Sequence, residues 1–210
     1  MTLEPFYPIF DSSAWMSRLV PLGIRQVQLR IKSDDLDLVR NETLKTMEIC
    51  QKHNCQLFLN DHWQLAIELG CDAVHLGQQD LEFADLSQIL KAGISLGVST
   101  HSNQELVQAL STNPCYVALG PIYPTILKKM PWSPQGLKRI TDWKSSIGSI
   151  PLVAIGGLNP ERGIAALEHG ADCVSVVTDI TLNPNPEHQI NYWLEITEPY
   201  RKSSLSGKKT

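Results

Sequence analysis

The sequence predicts an α/β protein in which eight parallel strands close into a single-domain (β/α)₈ TIM barrel. Three observations carry this. Short β-rich runs occur eight times along the chain, with helix-like segments between most of them. Eight complete units favour a closed barrel over an open doubly wound sheet. A length of 210 residues, 42% of them apolar, supports one large core and is too short for two ordinary domains and a linker.

The strand candidates are, in order, YPIF, VQLRI, QLFLN, AVHLG, SLGVS, YVALG, PLVAIG and CVSVV. Apolar residues recurring every three or four positions mark helices at SAWMSRLVPLG, HWQLAIELG, FADLSQILKAG, NQELVQAL and PERGIAALEHG. Ser102 followed by Glu105 resembles a capping box, and Asn159 before Pro160 an N-cap with proline in the first turn. Gly70, Gly93 and Gly170 fit helix C-terminal stops. Residues 1–202 are expected to form the barrel and residues 203–210, SSLSGKKT, a flexible polar tail. The stretch 121–136 holds Pro121, Pro124, Pro131 and Pro134 and is long for a connection in a compact domain, which reads as an active-site lid.

A formal charge of −4 without a concentrated basic stripe argues against nucleic acid as a partner. MTLEPFYPIF lacks the basic start and apolar stretch of a signal peptide, and no apolar run approaches membrane-spanning length. A cytoplasmic protein with no membrane partner is expected; barrels often pair through their outer helices, so a homo-oligomer is compatible. Cys50, Cys55, Cys71, Cys115 and Cys173 are odd in number and lack C-x-x-C spacing, so they read as reduced packing residues. Neither H-x-x-x-H nor Gly-x-Ser-x-Gly occurs, which weakens metalloprotease and hydrolase readings.

In a barrel the chemistry belongs on the loops after the C-terminal strand ends. In VQLRIK the strand period sends Val27, Leu29 and Ile31 to one face and Gln28, Arg30 and Lys32 to the other. Placing the second set inside the barrel mouth is costly without an anionic partner, and a phosphate group answers that cost. The plainer alternative leaves Lys32 solvated and pairs Arg30 with a structural carboxylate. Asn60 and Asp61 end the third strand and Asp80 lies just beyond the fourth, so two carboxylates face one cleft, a donor set suited to Mg²⁺. The alternative for each aspartate is a helix cap. His75 reads as an interior hydrogen-bonding residue, Ser99 as a donor to a phosphate oxygen, and His101 has no assigned role. Lys128 could swing from the proline-rich loop onto the phosphate held by Arg30 and Lys32. Gly157, after the seventh strand, with Val177 and Thr178, after the eighth, stands where many barrels hold a phosphate with backbone N–H groups. Gly157 could equally be required by its turn.

Taken together, QLRIK, LFLND, VHLGQQD, GVSTHS, YVALGPIYPT, PQGL and AIGGL resemble the thiamine phosphate synthase family, in family order and over nearly the whole chain. The resemblance implies a transferase that couples hydroxymethylpyrimidine diphosphate to thiazole phosphate, or its carboxylate form. Thiamine phosphate and pyrophosphate would be the products, formed with Mg²⁺. It implies that Gln28, Leu29, Arg30, Ile31 and Lys32, with Asn60, Ser99 and Lys128, bind the pyrimidine diphosphate, with Arg30, Lys32, Ser99 and Lys128 acting in the reaction. Asp61 and Asp80 would bind Mg²⁺. Thr125, Gly157, Val177 and Thr178 match positions that hold the thiazole phosphate, and Ile126 and Leu127, on the loop with Thr125, are expected to bind substrate as well. In the family the pyrimidine–diphosphate bond breaks with carbocation character, and the thiazole nitrogen captures the carbon. One departure stands out: the family commonly reads Pro-Thr-x-Thr-Lys, and here Leu127 occupies the second threonine position. A related barrel that isomerises thiazole carboxylate phosphate, and a binding protein that has lost turnover, are the competing readings.

Overall fold

The structure, a computed structural model, describes residues 3–126 and 132–202. Eight parallel strands form a closed barrel in sequence order, β1 to β8, with β8 pairing back onto β1. The units run β1 Phe6–Phe10, α1 Ser13–Leu19, β2 Gln26–Leu29, α2 Leu36–Lys52, β3 Gln56–Asn60, α3 Trp63–Leu69, β4 Ala73–Leu76, α4 Gln78–Phe83 and α5 Leu86–Lys91. They continue with β5 Ser95–Thr100, α6 Asn103–Ser111, β6 Tyr116–Leu119, α7 Gly136–Ile147, β7 Leu152–Ile155, α8 Pro160–Glu168, β8 Cys173–Val176, α9 Thr178–Thr181 and α10 Pro186–Thr197. No helix among the described residues is long and apolar enough to cross a membrane. The five cysteines are free thiols.

Strand side chains alternate between two cores. Val27, Leu29, Val74, Leu76, Val98, Val117, Leu119 and Val174 pack outward against the helices. Tyr7, Phe58, Ala73, Tyr116, Ala118, Val153 and Cys173 fill the barrel interior, so the barrel is plugged below its C-terminal mouth.

Local chemistry sets the helix ends. Asn159 accepts from Arg162 N at 2.9 Å, with Pro160 in the first turn. Gly70, Gly93 and Gly170 take the left-handed backbone their positions require, with φ of 71°, 72° and 105°. Ser102 Oγ accepts from Glu105 N at 3.2 Å, but Glu105 turns its carboxylate to His101, so the capping box is only half formed. The segment FADLSQILKAG is not one helix. Asp85 accepts from Ser87 N and Gln88 N, starting α5 there, while α4 has already ended at Phe83. Helix α2 buries Val39, Thr43, Thr46 and Cys50, a face too polar to stand out as an apolar stripe.

Candidate active site

A cavity of about 660 Å³ opens at the C-terminal ends of the strands above the interior plug. Strand β2 supplies its cationic wall. Gln28, Arg30 and Lys32 line the cavity, whereas Leu29 and Ile31 point away into the outer core and reach it with no side chain. Arg30 N donates to Phe10 O at 2.8 Å, fixing the strand extension. Its guanidinium is partly buried and makes no hydrogen bond or ion pair among the described residues. A cation held without a counter-ion in a cavity is an anion site in waiting. Lys32 is not simply solvated: its Nζ lies 2.7 Å from Asp61 Oδ2, although its own side chain is 59% exposed.

Asp61 follows β3 with φ of 65°, a left-handed conformation uncommon outside glycine, held by its N–H to His75 O at 2.9 Å. Its side chain caps no helix, since His62 occupies the N-cap of α3 without a side-chain bond. Asp80 sits in the first turn of α4, likewise not as its cap, in hydrogen-bond reach of Asp61. Burial alone would raise the Asp61 carboxyl, but Lys32 and Asp80 together bring it below the usual range. Burial and the neighbouring Asp61 charge raise Asp80. Two carboxylates crowded so that one resists ionisation fit a hard divalent cation such as Mg²⁺, which would relieve the repulsion. Among the described residues no group of three or more His, Cys, Asp or Glu is placed to hold a metal, so such a cation would complete its shell with water and phosphate oxygens.

Deeper in the cavity, burial holds the His75 ring down to about 4, neutral at pH 7. Its Nδ1 meets the Tyr116 hydroxyl at 2.7 Å and its Nε2 meets Ser99 Oγ at 2.8 Å. Asn60, 4% exposed, lines the same cavity, and its Nδ2 has no hydrogen-bond partner among the described residues. A buried amide left unsatisfied is expected to meet a ligand or water.

The opposite wall comes from the loops after β6, β7 and β8. Gly156 lines the cavity; Gly157 instead meets loop 121–126, where a Cβ would fall 2.4 Å from Pro124 O. With φ of 98° and 65°, the glycine pair is needed by the turn and by this close packing. Val177 lines the cavity and Thr178 begins α9 beside it, where Asp179 is tied to Trp193 Nε1 at 2.7 Å. Thr125 lines the cavity and Ile126 is 82% exposed. Leu127 and Lys128 lie outside the described residues. The family model described as thiamine monophosphate synthase matches residues 7–180.

The chain belongs to the thiamine monophosphate synthase family.

Among relatives, a thiamine-phosphate synthase of Rhizobium etli is 53% identical over 201 residues, covering 96% of this chain and 98% of its own. One from Neisseria meningitidis is 43% identical over 182 residues, covering 87% and 89%. A solved thiamine phosphate pyrophosphorylase from Pyrococcus furiosus superposes with a TM-score of 0.82 at 22% identity, over 94% of this chain and 96% of that one, a likeness in fold.

Within this cavity lie residues that sequence reasoning passed over. Tyr7, Tyr116 and Ser175 occupy interior strand positions, and Ser175 Oγ is buried without a partner among the described residues. The period of two that exposed Gln28 and Arg30 also points Tyr7 inward, but a tyrosine in a strand reads equally as packing. His101 acquires a setting: Nδ1 bonds Glu105 at 2.8 Å and the ring stacks on Trp132 at 5.9 Å, forming one rim of the cavity.

Proposed function

We propose that the chain joins hydroxymethylpyrimidine diphosphate to thiazole phosphate, forming thiamine phosphate and releasing pyrophosphate. The observation that carries this reading is the Arg30 guanidinium, held at the cavity wall without a carboxylate partner among the described residues. The names and close similarity of the relatives support the same reaction.

Arg30 and Lys32 receive the diphosphate, Ser99 donates to the same substrate, and Lys128, which lies outside the described residues, is assigned to that substrate by its place in the family motif. Asn60 meets the pyrimidine with its free amide N–H. Asp61 and Asp80 would hold Mg²⁺, which would supply positive charge to offset that on the leaving diphosphate. As the carbon–oxygen bond to the diphosphate breaks, negative charge grows on the leaving oxygens, and donors fixed beforehand stabilise it without reorganising. The thiazole nitrogen then supplies the electron pair that forms the new bond to the pyrimidine methylene carbon, so no side-chain nucleophile is required. The thiazole phosphate lies against Thr125 and Val177 on the far wall, with Thr178 and the Gly156–Gly157 turn beside it, which presents the ring across the cavity from the diphosphate. The interior plug of Tyr7, Phe58 and Tyr116 closes the barrel below, limiting water that would capture the cation instead.

The test is thiamine phosphate formation by purified protein given both phosphorylated precursors, with and without Mg²⁺, beside the Asp61→Ala variant. Mg²⁺-dependent product that disappears in Asp61→Ala is expected. No product from folded wild-type protein would overturn the reading.

A further inference from the structure

The polar groups beneath the cavity form a single file of hydrogen bonds across the barrel. Gln28 Nε2 donates to the Tyr7 hydroxyl at 3.1 Å, and the Tyr7 and Tyr116 hydroxyls lie 3.1 Å apart. The Tyr116 hydroxyl is 2.7 Å from His75 Nδ1, and His75 Nε2 is 2.8 Å from Ser99 Oγ. Gln28, Tyr7, Tyr116 and His75 are buried, and Ser99 stands at the end of the file where it lines the cavity.

Counting protons gives the file a direction. An amide nitrogen only donates, so the Tyr7 oxygen accepts from Gln28. The Tyr7 proton then has the Tyr116 oxygen as its acceptor, and the Tyr116 proton has His75 Nδ1. That nitrogen must carry a lone pair, which puts the ring proton on Nε2, donating to Ser99 Oγ. With its oxygen accepting from His75, Ser99 is left with its own proton facing the cavity. With Gln28 Nε2 facing Tyr7, reversing any internal link strands a buried hydroxyl proton without an acceptor, an arrangement folded proteins avoid.

The file is also mechanically fixed. Tyr116 is stacked on His75 with centroids 5.7 Å apart and wedged edge-on by Phe58 at 5.4 Å and Tyr7 at 5.9 Å. On its remaining side it lies against Gly97, where a Cβ would fall 2.3 Å from the phenol Cζ. Gln78 Nε2 donates to Ser99 O, pinning the backbone of the terminal residue as well.

We infer that Gln28, Tyr7, Tyr116 and His75 form a positioning device that presents Ser99 to the cavity as a hydrogen-bond donor, so that Ser99 takes a lone-pair acceptor atom of the bound substrate. Two substrate atoms have that chemistry, a diphosphate oxygen and an unprotonated ring nitrogen; an amino group does not. The kinetic consequences rest on the coupling reaction proposed above, whereas the tautomer of His75 does not.

Nitrogen-15 NMR of histidine-labelled full-length protein, with the His75 signals identified by their loss in His75→Gln, reads the tautomer directly. A proton on Nε2 and a bare Nδ1 are expected; a proton on Nδ1 would reverse the file and overturn the inference. Tyr116→Phe keeps the ring and removes the link. It should lower kcat about tenfold, less than loss of a donor in direct contact. In a Ser99→Ala background the same substitution should change kcat less than about twofold, because the device has nothing left to position. Equal losses in both backgrounds would show a purely structural role and overturn the inference. Binding of inorganic pyrophosphate to Ser99→Ala separates the two acceptors. Weakened pyrophosphate binding identifies a diphosphate oxygen, and weakening confined to the pyrimidine diphosphate identifies the ring. Undiminished binding of both would refute the donor role.

Discussion

Replacing Gly97 by alanine tests how tightly the barrel interior is built. The added Cβ would lie 2.3 Å from Cζ, 2.5 Å from Cε1 and 2.6 Å from the hydroxyl oxygen of Tyr116, all far inside contact distance. The ring cannot rotate away, because His75, Phe58 and Tyr7 surround it. Overpacking of this kind costs about 1–3 kcal/mol. A displaced phenol also loses its bonds to Tyr7 and His75, about 0.5–1.5 kcal/mol each. The total is roughly 2–6 kcal/mol. At about 2–4 °C per kcal/mol for a chain of this size, Tm should fall by on the order of 10 °C. Thermal unfolding followed by circular dichroism measures it. A Gly97→Ala protein melting within about 1 °C of the parent would refute the packing argument, since it would mean that Tyr116 has somewhere else to go.

Other substitutions separate site from scaffold. Arg30→Ala should lose about a hundredfold or more in rate while melting normally, because the guanidinium supports no fold contact among the described residues; near-normal turnover would remove it from the diphosphate site. Asp172 holds Lys144 Nζ at 2.7 Å and Leu152 N at 2.8 Å, and these bonds, with Lys202, outweigh burial and bring its carboxyl below the usual range. Its stabilisation is therefore present above the ordinary Asp value, about 3.9, and is lost as pH falls through the lower folded value. Asp172→Asn should destabilise at pH 7 by roughly 1–3 kcal/mol and by much less in strong acid; a loss that stays the same across that range in chemical denaturation would contradict it. Leu127 cannot donate a hydrogen bond, so Leu127→Thr should lower the KM for thiazole phosphate, by about ten- to a hundredfold if one charged-group bond is restored; an unchanged KM would show that another donor serves.

The barrel was legible because each strand announces itself twice, by a short run rich in β-branched, aromatic or leucine residues and by the turn residues that follow. The cationic wall was legible from the strand period: alternation in VQLRIK puts Gln28, Arg30 and Lys32 on one face, and all three line the cavity. Helix α2 was hidden by threonines on its buried face, and the break before α5 by a pattern whose apolar spacing runs on through Asp85. Most of the hydrogen-bonded file was invisible for a deeper reason. Tyr7, Tyr116, His75 and Ser99 come from four different strands, and only barrel closure sets their hydroxyls and ring nitrogens in contact. Gly157 illustrates the opposite case, a residue whose local signal was clear but whose two explanations only packing could separate.

The left-handed backbone at Asp61 has a consequence for how this protein would respond to selection. Glycine adopts φ of 65° freely, whereas a side-chain-bearing residue forfeits about 1 kcal/mol or more there. The partly exposed ion pair with Lys32 returns little of that. A screen that rewarded heat resistance and ignored product would therefore favour Asp61→Gly, hardening the chain by discarding half of its carboxylate pair. On the proposed reaction, keeping aspartate there trades robustness for chemistry, and the trade is written in a single dihedral angle.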